Sequence, residues 1–337
     1  MPSIAKLRDR GYWVSHHFYW QSLIHYFMYS VRFRSFTFFS ACDPAIELGG
    51  MLDESKSDIY ALLPPQFVPK TINTRPGKLK LSHLRDKGME YPLIVKPNVG
   101  FKGYKVVLIQ NDQELLNYLN NQDEDREWLV QEYIDYKREF SLLYYRYPDG
   151  SEKGITSLIE KIYPSVTGDG KSTLHELVNG YENAFLDRSD LNRRLYSDMN
   201  KVPAEGEVIQ LDTIGNYARG SKFYSLMDEI DEELVTVTGK YFEEVNDMDF
   251  FRIDFKADSM EDYKTGKFGI LEVNGTKSEP LHIYDPRFGF WARAKTLNDH
   301  WKIIAQIVVN RKSISNYKFP STKEGLKSLF AIKRLVD

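Results

Sequence analysis

Phe251-Arg252-Ile253-Asp254-Phe255 and Ile270-Leu271-Glu272-Val273-Asn274 are two short runs in which apolar and polar residues alternate. Side chains of a strand point alternately to opposite faces, so Phe251, Ile253 and Phe255 belong to a core while Arg252, Asp254 and Lys256 share the other face. By the same alternation Leu271 and Val273 pack, and Glu272 and Asn274 face together. The connection over residues 257–268 is polar and carries Gly266, as expected of an antiparallel hairpin with a long loop. Pairing the two strands gathers Asp254, Glu272 and Asn274 on one surface. Two carboxylates and an amide oxygen are hard ligands of the kind Mg²⁺ takes, completing its octahedron from water and phosphate. A solvated sheet face carries the same residue types, so spacing alone leaves both readings open.

Upstream, Leu93-Ile94-Val95-Lys96 reads as a buried strand and residues 104–109 as a second. Between them lies Pro97-Asn98-Val99-Gly100-Phe101-Lys102-Gly103. A Gly-bearing turn between strands can close its backbone N–H groups over phosphate, with Lys96 beside it as a point charge. No helix follows directly, which separates it from a Walker loop or a dinucleotide fingerprint; an ordinary hairpin is the plainer alternative. Residues 112–119 begin on a cap-like Asn111-Asp112 and read as a helix. Strands follow over 128–134 and 139–147, the latter closed by Pro148-Asp149-Gly150. The stretch 163–216 is polar and looped, with a turn at Gly168-Asp169-Gly170 and a helix expected over 173–185. A further helix is expected over 226–244. Strands and helices interleave without strict alternation, so the fold class is α+β, in lobes, rather than a doubly wound sheet.

At 337 residues the chain has room for about two domains, and its 42% hydrophobic and 28% charged content is that of a globular protein. A net charge of -3 gives nucleic acid no case as the main partner. The single cysteine, Cys42, precludes an internal disulfide and suits a reducing compartment, and a small buried hydrophobe is its expected role. No Ser-His-Asp or Cys-His arrangement stands out.

Aromatic residues crowd the first 40 positions, and from Gly11 to Ala41 the only formal charges are Arg32 and Arg34. Trp20, Ile24, Phe27 and Val31 form one helical stripe, and Tyr19, Tyr26 and Phe33 a neighbouring one. Gln21, Ser22, His25 and Ser30 interrupt the run too early for a membrane span. The two arginines argue against a cleaved leader, although Phe39-Ser40-Ala41-Cys42 loosely resembles a cleavage site. A helix packed on the protein body or on a second subunit, or one lying in a membrane interface, remains. Residues 323–334 read as a short basic amphipathic helix, solvated or on that same surface.

Taken together and in this order, PLIVKPNVGFKG, EWLVQEYIDYKREFSL, VTGDGKSTLHELV, NYARGSKF, FRIDF and ILEVNG resemble the ATP-grasp superfamily. The likeness is to its carboxylate-amine ligases: the D-alanine-D-alanine ligase-like, cyanophycin-synthetase-like and glutathione-synthesising branches. It spans about residues 51–310. It implies an ATP-grasp fold of two α+β lobes with the nucleotide between them, preceded by an aromatic-rich helical N-terminal segment. The implied division is 1–50 for that segment, 51–135 and 136–310 for the lobes, and 311–337 for a basic tail.

Carried over, the resemblance makes Lys96 the lysine that contacts the α- and β-phosphates, under a loop of Gly100, Lys102 and Gly103, and Lys56 the earlier nucleotide-binding lysine. It sets Glu132, Tyr133 and Ile134 against the adenine and Glu139 against the ribose. Asp254, Glu272 and Asn274 become ligands of Mg²⁺, two ions in all, and Arg252, with Arg219 or Lys171, meets the charge of the transferring phosphoryl group. The implied reaction activates a carboxylate as an acyl phosphate for attack by an amine. A phosphotransferase and a non-catalytic nucleotide-binding, membrane-associated protein are the alternatives. The chain departs from the family in having only about 50 residues ahead of Lys56, too few for the usual N-terminal domain. Its loop after Asn274 is unlike that of D-alanine-D-alanine ligases, so that activity is not expected. His282, Tyr284 and Arg287 are weaker candidates for the substrate pocket. The expected partners are a small-molecule carboxylate and amine, with a homodimer open. The expected location is cytoplasmic, the inner face of the membrane being the surface the N-terminal helix would meet.

Overall fold

The computed structural model describes residues 10–328 apart from 53, 101, 102, 104, 182–190, 192–194 and 196. Lys102, the start of the 104–109 strand, most of the second half of the 173–185 helix and the end of the 323–334 helix therefore lie outside the described residues, as does the side chain of Tyr19. Helix α1 (Arg10–Phe33) turns its Tyr29 ring against Phe33 and Trp301, at 6.2 and 6.5 Å between centroids. Its other stripe faces outward: Trp20, Ile24, Phe27 and Val31 are 70%, 68%, 56% and 79% exposed. Helix α2 (Lys56–Leu62) is capped by Ser55, whose hydroxyl accepts from the Asp58 N–H.

The first sheet contains β1 (Thr71–Thr74), β2 (Leu93–Pro97), β3 (Val107–Ile109) and β4 (Trp128–Glu132), in the antiparallel order β1-β4-β2-β3. Helices α3 (Leu81–Asp86) and α4 (Asp112–Asn120) accompany it. Asn111 caps α4 as its sequence suggests, accepting from Glu114. The strand expected from residue 104 begins only at Val107. Lys105 stands at φ 53°, a left-handed conformation that cannot continue a strand. The strand expected to reach Ile134 stops at Glu132, the last residue with a partner on β2, and Tyr133 and Ile134 turn out of the sheet.

The second sheet starts with β5 (Arg138–Arg146) and β6 (Lys153–Ile162), a strand not anticipated from the sequence. A small ribbon follows, β7 (Ser165–Thr167) with β8 (Val208–Gln210), and between them α5 (Leu174–Gly180). Then come β9 (Lys222–Ser225), α6 (Glu232–Tyr241), β10 (Phe250–Ala257), α7 (Met260–Lys264) and β11 (Gly269–Asn274). The sheet order is β11-β10-β5-β6-β9, antiparallel throughout. The helix expected over 226–244 is divided. Met227–Glu229 forms one tight turn, Ile230 is extended, and Asp231 caps α6 by accepting from Leu234. Helix α8 (Phe290–Ile314) then crosses to α1.

Phe251, Ile253 and Phe255 are fully buried with Phe140, Tyr144, Phe242 and Tyr263, as the alternation of β10 requires. Each such side chain contributes roughly 1.5–3 kcal/mol on burial. Phe140 and Phe255 stack at 5.4 Å. Cys42 is fully buried near Ile304, and burial pushes its thiol well above the usual range, so it is an inert packing residue. Beyond β11 the backbone runs so close to the 49–50 turn that a Cβ on Gly275 would lie 2.7 Å from the Gly49 carbonyl oxygen. Thr276 and Lys277 donate their N–H groups to Gly49 and Gly50 there. That contact fixes the end of the metal-candidate strand against the N-terminal segment.

Candidate active site

The register of β10 and β11 pairs Asp254 with Glu272 and Arg252 with Asn274. Direct partners in an antiparallel pair present their side chains on one face. All four line one cavity, together with Lys56, Lys96, Glu132, Tyr133, Ile134, Glu139 and Lys256. The same face continues across the sheet, where Asp254 pairs with Ser141 of β5 and Glu139 with Lys161 of β6. Lys161 donates to Glu139 at 2.8 Å and to Asp254 at 3.0 Å, and all three are at least 94% buried.

Burial disfavours the Asp254 carboxylate, yet it is held far below the ordinary carboxylate range. Arg252 and Lys161 offset the burial, and the Ser141 hydroxyl donates at 2.6 Å. Burial likewise opposes the Lys161 ammonium, and Asp254 and Glu139 together raise it. Sequence reading missed Lys161, Ser141 and Lys256's contacts with the Tyr133 ring and the Ile134 carbonyl. The available signal was the run from Gly154 to Lys161, in which Ser157, Ile159 and Lys161 share one face.

Across the cleft, Lys96 leaves β2 and donates to the Tyr60 hydroxyl at 2.9 Å and to the Leu271 carbonyl at 3.1 Å. These are neutral partners. Burial pushes its ammonium down to about 8, with Glu272 only partly restoring it. Lys56 donates to the Gly100 carbonyl at 2.7 Å and lies 3.6 Å from Glu272. A phosphate needs the protonated Lys96, so nucleotide affinity should fall as pH rises through about 8, by about fivefold between pH 8 and 9. Titration with a fluorescent ATP analogue checks this, and Lys96→Arg should flatten the profile. A flat profile in the parent protein would remove Lys96 from phosphate binding. The unfolded lysine keeps its proton to about pH 10.4. Over the window from about 8 to 10 the unfolded state therefore binds more protons, and folding stability rises with pH.

The phosphate-side loop is pressed inward. Gly103 stands at φ 70°, and a Cβ there would lie 2.8 Å from Ile214. The Arg219 Cδ lies 3.7 Å from that same position, and its guanidinium pairs with Asp212 at 2.8 Å. Glu132 lies 3.6 Å from Lys70 at one end of the cavity. Tyr284 lines the cavity and donates to Glu279.

Four expected residues do not line the cavity: Arg219, held by Asp212, and Lys171, Arg287 and His282. Lys171 is exposed on a turn that Asp169 closes by accepting from the Lys171 and Ser172 N–H groups. Arg287 is exposed and satisfies the fully buried Asp285. His282 is a packed neutral imidazole, bonded to Ser157 and Thr296, and burial pushes it down to about 4.

The donors present fit a hard cation. Asp254 and Glu272 supply carboxylate oxygen, and the buried Asn274 amide has its Nδ2 without a hydrogen-bond partner, so a flip can present oxygen at no loss. Among the described residues no group of three or more His, Cys, Asp or Glu side chains is arranged to hold a metal ion. Asp254 is engaged by Arg252, Lys161 and Ser141, and a bound ion would displace part of that set.

Residues 69–142 match the model of the RimK-like ATP-grasp domain. Similar solved structures include a bifunctional glutathione synthetase from Pasteurella multocida (14% identity, TM-score 0.44), with 77% of this chain and 38% of that one aligned. They also include the D-alanine–D-alanine ligase of Bacillus anthracis (14%, TM-score 0.42; 80% and 69% aligned) and the VanG D-Ala:D-Ser ligase of Enterococcus faecalis (15%, TM-score 0.40; 77% and 64%). The chain thus spans well under half the length of the first of these. No curated protein sequence matches it. With the family model matching from β1 into β5 and two antiparallel sheets lining one cavity, the chain carries an ATP-grasp fold.

Proposed function

We propose that this protein is an ATP- and Mg²⁺-dependent, ADP-forming ligase that joins a small-molecule carboxylate to an amine. The observation that carries the reading is the pairing of Asp254 with Glu272, with Asn274 beyond them and Lys56 and Lys96 lining the same cavity. In this reading the segments 51–135 and 136–310 are the two lobes. Lys96 holds the α- and β-phosphates, Lys56 is a further nucleotide-binding lysine, Glu132 with Tyr133 and Ile134 meets the adenine, and Glu139 meets the ribose. Asp254, Glu272 and Asn274 hold Mg²⁺, which when bound neutralises phosphate charge. Arg252 stabilises negative charge on the transferring group, with Arg219 able to approach the γ-phosphate beside Gly103. A substrate carboxylate oxygen attacks the γ-phosphorus, ADP leaves, and an amine nitrogen then displaces phosphate from the acyl carbon. Positioning and charge neutralisation suffice for this chemistry, and no protein nucleophile is required.

Incubation with ATP, Mg²⁺ and pools of carboxylates and amines should yield ADP, phosphate and a condensed mass. AMP and pyrophosphate would overturn the acyl-phosphate step, and ADP with a phosphorylated product would favour a phosphotransferase. The lone buried cysteine and the need for ATP suit the cytoplasm. No described helix is long and apolar enough to cross a membrane. The outward face of α1, with Trp20 and the exposed Arg32 and Arg34 beside it, suits peripheral contact with anionic lipid. Flotation with anionic liposomes tests that contact, and a dimer in size-exclusion chromatography without flotation would assign the face to a second copy.

A further inference from the structure

The cavity does not end at the phosphate side. At about 1230 Å³ it exceeds the roughly 300–1,000 Å³ of a single small-molecule site, leaving room beside a nucleotide. Past Asn274 it continues between α1, α8 and the 322–328 helix. The walls there include Leu23, Tyr26, Phe39, Met51, Trp301 and Leu326. Thr276 ties this arm to the reacting centre, its N–H donating to Gly49 and its hydroxyl lying 3.4 Å from the Phe39 carbonyl. The charged residues lining the cavity past Asn274 are engaged with the protein: Lys277 pairs with Glu54 at 3.0 Å and donates to the Leu52 carbonyl, and Glu279 accepts from Tyr284. His300, which also lines it, is kept neutral by burial. Arg252, Asp254 and Glu272 stand at the other end.

Resting on the ligase reading above, we propose that this arm holds the apolar tail of the acyl substrate, an amphipathic carboxylate with an extended hydrocarbon or aromatic body. Its head lies at Arg252 and its tail runs past Trp301 to Leu23 and Leu326. A charged or short polar acyl group would leave these walls facing water, whereas each buried methylene adds about fourfold in affinity.

The test is a fluorescence titration of the full chain with cis-parinarate. Leu23 and Leu326 are 44% and 50% exposed, so Leu23→Glu and Leu326→Glu should fold, with titration by a fluorescent ATP analogue as the control. The expected result is saturable binding that each substitution weakens at least tenfold, and displacement by decanoate far better than by decylamine. Absence of parinarate binding, or binding that both substitutions leave unchanged, would overturn the arm as a tail site. Displacement by decylamine as effective as by decanoate would overturn the carboxylate assignment. Hydroxylamine, ATP and Mg²⁺ supplied with decanoate should give the acyl hydroxamate. Parinarate binding with the expected pattern but no hydroxamate would uphold the arm and overturn the ligase reading.

Discussion

In the Glu272→Gln protein, turnover at saturating ATP is expected to fall about 10²–10³-fold while the thermal midpoint stays near that of the parent. Glu272 is the site carboxylate least committed to the fold. Its side chain is 36% exposed and its ion pair with Lys56 is long, at 3.6 Å. Glutamine keeps the size and one oxygen but removes the charge that a divalent ion and its phosphates require. The apparent Mg²⁺ requirement should rise along with the loss. Asp254 is the poorer choice for this experiment, because its carboxylate also anchors Ser141, Arg252 and Lys161. Turnover of Glu272→Gln within threefold of the parent, at the same Mg²⁺ concentration, would disprove the metal assignment.

Lys161→Met should destabilise the fold by about 3–5 kcal/mol at neutral pH, measured by urea denaturation. Methionine fills similar space, so the loss is electrostatic. The substitution leaves two buried carboxylates, Glu139 and Asp254, without the ammonium they share. Tyr163 still donates to Glu139, and Arg252 and Ser141 still hold Asp254, which keeps the cost short of two unpaired charges. The pH dependence follows from the depressed Asp254 carboxyl. In the parent that stabilisation is present above the unfolded carboxyl value near 3.9 and is lost only as pH falls through the still lower folded value. In the variant Asp254 lacks one of the charges that hold it down and can protonate at higher pH. The difference between the two proteins should therefore be largest near pH 7 and shrink towards pH 4. A difference under 1 kcal/mol at neutral pH would mean that Lys161 is dispensable to the polar face.

Some elements were legible because a strand's period is short and local. The core side of β10 could be read from Phe251, Ile253 and Phe255, since neighbouring side chains must point oppositely whatever lies around them. The cap of α4 at Asn111 was equally local. The failures share a cause. Lys171, His282 and Arg287 sit in stretches whose type suggested a site, yet each side chain is claimed by a nearby partner: solvent at an Asp169 turn, Ser157 with Thr296, and buried Asp285. Lys161 failed in the other direction. Its meaning comes from Glu139 on a neighbouring strand and Asp254 one strand further, 22 and 93 residues away.

The amino-acid sequence by itself determined the alternation that puts Asp254, Glu272 and Asn274 on one face, and the two stripes of α1. Both follow from backbone geometry, which acts over a few residues. Only the tertiary structure decided which α1 stripe faces in. Tyr29 and Phe33 stack against Trp301 and Phe38, which lie far along the chain or beyond a turn, while Trp20, Ile24, Phe27 and Val31 are left outside. It also decided that the polar cavity opens into an apolar arm, because that space exists only where α1, α8 and the end of β11 meet. Burial and ion pairing between distant strands set the charge states of Lys96, Lys161 and Asp254, and no local pattern encodes them.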